Sequence, residues 1–207
     1  MKKLLLLIPL LILLFSCSNQ EHEEIKNCYS GYKSAILNND GEKALQYVDS
    51  NTIAYYQNIL TKVKNAGLMD INNMPFFDKL NVLLIRHAVP ADFILSTNGK
   101  KMFKHAVDHG MIGKRSVKNI KIGEIKIEGN SAKAKMSTKD GNHNFEFTLH
   151  KQDGKWKIDL TSIFPYISNS FKRLAESKGK GENSFIMSLL KEQTGIKPTI
   201  KIWEPVR

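Results

Sequence analysis

The sequence predicts an α+β fold, with N-terminal helices packed on a bent four-stranded antiparallel meander and a C-terminal helical extension. Three observations carry that prediction. Residues 116–160 alternate apolar and polar side chains with a period of two, as strands with one buried and one wet face do. Turn residues interrupt this stretch at Glu128-Gly129-Asn130, Asp140-Gly141-Asn142 and Asp153-Gly154, where the positive φ of tight hairpins is tolerated. On either side of it, apolar residues recur at helical spacing instead.

Met1 to Ser16 stands outside the fold. Lys2 and Lys3 precede an unbroken apolar run from Leu4 to Phe15, the build of a secretory signal and too short to span a bilayer comfortably. The run ends in Leu14-Phe15-Ser16-Cys17, which resembles the lipobox of bacterial lipoproteins. That resemblance implies cleavage before Cys17 and acylation of its thiol and new amine. The expected organisation is therefore a signal peptide over 1–16, a lipidated tether over 17–22, a domain over 23–164 and a helical extension over 165–207 packed on the domain. Cys28 is the only other cysteine. With Cys17 acylated, no disulfide framework exists, and Cys28 reads as a small core residue on the apolar side of a helix.

The first helix is expected over 23–37, with Ile25, Cys28, Tyr29, Tyr32 and Ile36 on one face, stopped at Asn38-Asn39-Asp40-Gly41. A short helix follows over 42–48. A third is capped by Ser50-Asn51-Thr52 and runs to about Asn65, ahead of Gly67. The apolar run Phe76–Val89 is long enough for a buried helix and is stopped by Pro90. A fifth, capped by Thr97 or Asn98, runs to His109 before Gly110. In the meander, Ala132, Ala134 and Met136 share one face; so do Phe145, Phe147 and Leu149, and again Trp156, Ile158 and Leu160. Asp159 and Glu146 fall on the opposite, wet face. In the first strand Ile120 and Ile122 are out of phase with Ile125 and Ile127, and a bulge at Gly123-Glu124 restores the phase and bends the sheet. Beyond Pro165, helices are expected over 166–177 and 184–193, with Phe171, Leu174, Phe185, Ile186, Leu189 and Leu190 as their packing residues.

Helices first, then a meander ending in Asp153-Gly154-Lys155-Trp156-Lys157-Ile158, resembles the nuclear transport factor 2-like superfamily over residues 23–164. The resemblance implies a cavity between the helices and the sheet. Candidate cavity residues are Phe145, Phe147 and Trp156 from the strands, and Tyr55, Tyr56 and His87 from the helices. The helical insert over 76–109 and the tail after Pro165 depart from the simpler members.

Three constellations bear on chemistry. Leu83-Leu84-Ile85-Arg86-His87-Ala88 resembles the opening motif of the histidine phosphatases, but those enzymes need a parallel sheet and a second His and Arg far downstream. His105 and His109, spaced i and i+4 with Asp108, share a helix face as zinc ligands do. No third ligand is identifiable, and Lys100, Lys101 and Lys104 repel a cation, so neither metal nor cofactor is expected. Superfamily isomerases and dehydratases use a cavity Asp or His, but the strand acids Asp159 and Glu146 have the wrong parity to supply a general base.

The chain carries 31 basic and 20 acidic residues, for a formal charge of +11. In an exported protein this excludes nucleic acid as the expected partner and favours anionic lipid headgroups or acidic glycans. The reading is a lipid-anchored protein of the bacterial envelope, at the outer membrane because Ser18 is not the acidic retention residue of enteric lipoproteins. It would be a non-catalytic binding module for a small apolar ligand or a protein partner. A small isomerase, dehydratase or hydrolase using the same cavity, or an immunity or inhibitor lipoprotein, are the alternatives.

Overall fold

The computed structural model describes residues 8–138 and 144–207, with side chains from Asn19 onward and that of Asn144 not described. The start of the signal segment, the Cys17 side chain and the turn at Asp140-Gly141-Asn142 lie outside the described residues. Among those described, no helix is long and apolar enough to cross a membrane.

Helix α1 spans Ile8–Leu37 and buries Ile25, Cys28, Tyr29, Tyr32, Ala35 and Ile36, one continuous stripe at i, i+3 and i+4. The segment expected to be a polar tether is part of this helix. Its Glu21 reaches Lys151 Nζ at 2.6 Å, and Nε2 of His22 lies 3.3 Å from the Ile125 carbonyl. Asn39, at φ 53°, turns the chain out of the helix in the left-handed region.

Helices α2 (Gly41–Leu45) and α3 (Ser50–Asn65) follow. The N-cap of α3 is Asp49, one residue earlier than the sequence indicates, its carboxylate accepting from Thr52 N at 2.9 Å. The link between the two helices runs beside the last strand: Val48 bridges Ile158 in parallel, Ile158 N donates to Tyr47 O and Asp49 N donates to Ile158 O. An exposed sheet edge is thereby covered. Next come α4 (Leu68–Asn72), α5 (Phe76–Ala88), α6 (Ala91–Ser96), α7 (Gly99–Asp108) and α8 (Arg115–Lys118). The sequence reading has α5 and α7 but not α4, α6 or α8, which are too short to display a period. At the start of α7, Gly99 passes so close to α3 that a β-carbon would sit 2.6 Å from Gln57 N.

Strands β1 (Ile120–Glu128), β2 (Ser131–Thr138), β3 (Asn144–Gln152) and β4 (Lys155–Asp159) form an antiparallel meander in the order β1-β2-β3-β4. The β1/β2 register shifts between Ile122 and Ile125, where the phase of the isoleucines predicts a bulge. Residues 116–118, expected to open the first strand, are instead the helical turn α8. The bent sheet wraps α1. Tyr29 meets Phe147 at 6.2 Å between ring centroids, and Tyr29 Oη and Lys33 Nζ both donate to Ile120 O. Ala132, Ala134, Met136, Phe147, Leu149, Trp156 and Ile158 on this inner face are all buried.

After a 3-10 turn at Leu160–Ile163, helices α9 (Phe164–Ser177) and α10 (Glu182–Thr194) return to the helical side. Phe171 stacks on Phe76 of α5 at 5.5 Å, and Phe185 meets the same ring at 6.2 Å. Ile186 and Leu190 are fully buried, whereas Leu174 is 41% exposed and does not join the packing its spacing suggested. A final 3-10 turn, Ile200–Trp203, brings Ile202 and Trp203 into the core.

Candidate functional site

The six cavity candidates do not converge. Phe145 and Phe147 touch edge to face at 5.6 Å, and Phe145 stacks on Tyr166 at 5.4 Å. Trp156 is buried under α1, with Lys151 Nζ 5.6 Å from its ring centroid. Its indole N–H has no hydrogen-bond partner among the described residues. Tyr56 packs edge-on against Phe103 at 5.2 Å. The Tyr55 hydroxyl donates to Asp78 Oδ1 at 2.9 Å and accepts from Asn81 at 3.1 Å; burial, then the Asp78 charge, pushes its pKa well above the ordinary phenol value. His87 lies at the far end of α5, its Nε2 2.9 Å from Thr194 Oγ1. Open grooves of about 400 and 460 Å³ lie elsewhere, beside Phe164 and beside Met74, and none of the six residues lines either. Tyr56, Phe147 and Trp156 are buried in the core, whereas Tyr55, His87 and Phe145 are partly buried.

The Arg-His pair of α5 has a structural explanation. The Arg86 guanidinium donates to the carbonyls of Lys62, Val63, Ala66 and Ile202. It gathers carbonyls of the last turn of α3 and of its C-cap Ala66 and joins them to Ile202 near the end of the chain. Four of its five N–H donors are so engaged, so the fork that would grip a phosphoryl group is committed to backbone carbonyls.

His105 and His109 stack face to face at 3.9 Å, with Phe93 against His105 at 4.6 Å. Asp108 turns away, accepting from Gly41 N at 2.7 Å and from Lys104 Nζ at 2.6 Å. Burial and the neighbouring His109 hold His105 below the ordinary imidazole pKa. Burial likewise pushes the Cys28 thiol up to about 12, so it stays a neutral, unreactive packing group.

One polar cluster escapes the sequence reading. Asp49, at the N-terminus of α3, places Oδ2 2.9 Å from Nδ1 of His150 on β3. Asp159, at the end of β4, stands beside them: one nitrogen or oxygen from each residue lies within 4.8 Å of the others. Asp159 does sit on the outer face, as its parity requires, but it is only 8% exposed, and Asp49 is 1% exposed. The α2–α3 link covers it. Each carboxylate is oriented by further donors, Thr52 N on Asp49, and Thr161 N, Thr161 Oγ1 and Asn51 Nδ2 on Asp159. A carboxylate can only accept, so Nδ1 carries the imidazole proton toward Asp49. Tethering Nδ1 in this way orients the ring. Alternation alone placed His150 and Asp159 on one face; nothing local to either signals the third member, about a hundred residues upstream.

Away from this corner the outer face is open. Lys121, Lys126, Lys133, Lys135, Glu146 and Lys155 are exposed, and Lys135 pairs with Glu124 at 2.6 Å. No family model, curated protein or solved structure matches the chain.

Proposed function

We propose that this is a lipid-anchored protein of the bacterial envelope, carried at the outer membrane by acyl chains on Cys17, with a nuclear transport factor 2-like domain that acts as a non-catalytic binding module. Its partner is a protein with an acidic face, and it is met on the outer side of the sheet. The observation that carries the reading is the closed inner face: with Phe147, Leu149, Trp156 and Ile158 buried beneath α1, recognition falls to the surface. There the lysines of β1 to β4 offer positive charge on rigid strands.

The anchor sharpens the geometry. Residues 17–21 are helical, so about 6 Å of rise separates Cys17 from Glu21, the first residue docked on the sheet. A domain held that close presents its surface lysines to anionic headgroups, each worth about 1 kcal/mol near the bilayer. Against the enzymatic alternative, Asp78, the acid at the groove beside Phe164, is occupied by Tyr55 and by Lys62 Nζ at 2.8 Å.

Two experiments bear on this. Cys17→Ser should abolish labelling by a clickable fatty acid; unchanged labelling removes the lipoprotein reading. A photo-crosslinking residue at position 133 or 155 in cells should give a discrete protein adduct, absent when it is placed at Ser188 on α10. Adducts from Ser188 but not from the sheet would move the binding surface to the helical side.

A further inference from the structure

We propose that Asp49, His150 and Asp159 form a three-ligand site for a divalent transition cation of the Zn2+ type, opening to solvent beside His150. The first argument is charge. Two nearly buried carboxylates repel one another and need a positive counterpart. Among the described residues neither is ion-paired with a lysine or arginine; the one partner of this kind is the His150 imidazole on Asp49. A divalent cation neutralises both carboxylates at once.

The second argument is geometry. The 2.9 Å between His150 Nδ1 and Asp49 Oδ2 is close to the roughly 3.0–3.5 Å separating neighbouring ligand atoms around an ion with bonds of about 2.0–2.2 Å. The cation takes the place of the Nδ1 proton, and the ring then keeps its proton on Nε2. His150 is 32% exposed at its side chain, which gives an entry path and room for water as a further ligand. The third argument is support. Thr52 N holds Asp49, while Thr161 and Asn51 hold Asp159, the outer contacts that orient ligands in metal sites. An imidazole in the set disfavours Mg2+ and Ca2+, which take oxygen. Because the ligands come from the α2–α3 link, β3 and β4, binding would pin the covered edge of the sheet.

Full-length protein in detergent, stripped by a chelator, should bind Zn2+ at one saturable site per chain in calorimetric titration and melt at a higher temperature with Zn2+ than without. His150→Gln, which keeps a donor toward Asp49, and Asp159→Asn should each weaken Zn2+ binding about 10-fold or more. His105→Gln should leave it unchanged, and Mg2+ or Ca2+ should not compete. If Asp159→Asn does not fold, His150→Gln carries the test alone. Absence of saturable binding, undiminished binding in His150→Gln, or loss in His105→Gln instead overturns the proposal.

Discussion

The two faces of the sheet are built from alternate residues of the same four strands, and they behave oppositely. The inner face carries alanine, methionine, leucine, tryptophan and Phe147, all buried, with Phe145 partly buried against Tyr166 of α9. The outer face carries lysines and glutamates in solvent, except at the β3–β4 end, where His150 and Asp159 are joined by Asp49. The difference teaches that parity fixes which face a side chain takes, but not what lies over it. Burial follows the element that crosses: a thirty-residue helix on one side and the short link between α2 and α3 on the other.

The largest expected effect is on the inner face. Trp156→Ala should cost about 3–5 kcal/mol of unfolding free energy in urea titration, the loss for truncating a packed aromatic. Trp156→Phe should cost clearly less, because the indole N–H makes no hydrogen bond among the described residues. Equal losses in the two variants would mean that an unseen partner of the indole, not packing, holds the site. On the helical side, Gly99→Ala should destabilise by more than the gain of about 1 kcal/mol that alanine normally brings to a helix, since its β-carbon meets the α3 backbone; a more stable variant would show that the helices can separate freely.

At the outer corner, Asp49→Ala removes the α3 cap and should cost about 1–2 kcal/mol, well below Trp156→Ala. On the open face, Lys133→Ala should change stability by no more than about 0.5 kcal/mol; a larger loss would give that face a structural role. The smallest effect concerns pH. The lowered pKa of His105 means that the unfolded chain binds the proton first as pH falls below the ordinary value of 6.5. Stability contributed by the neutral ring is therefore present above 6.5 and lost as pH drops toward the folded value. Urea midpoints at pH 7.5 and 5.5 should differ less in His105→Gln than in wild type; an unchanged difference would place the pH response elsewhere.

Much of the fold is legible because its signals are local. The phase reversal of four isoleucines marks the β1 bulge, Asn98 caps α7, and Pro90 stops α5. What sequence spacing misses is long-range. Asp49 N bonds Ile158 O across more than a hundred residues, so neither the covered edge nor the burial of Asp159 has a local signature. The same blindness separates cavity from core, because Phe147 and Trp156 suit either until the position of α1 is known. Arg86 makes the converse point: a residue that resembles a phosphate ligand in sequence is bound by four carbonyls that only the tertiary fold assembles.

A titration of the wild-type chain with an apolar fluorescent probe, followed through probe emission and Trp156 quenching, addresses the closed inner face most directly. A sealed core gives no saturable enhancement in the native protein and none in Trp156→Phe. A saturable site that disappears when Trp156 is replaced would mean that the space beneath α1 is open to ligand, and binding would then belong to the inside of the sheet.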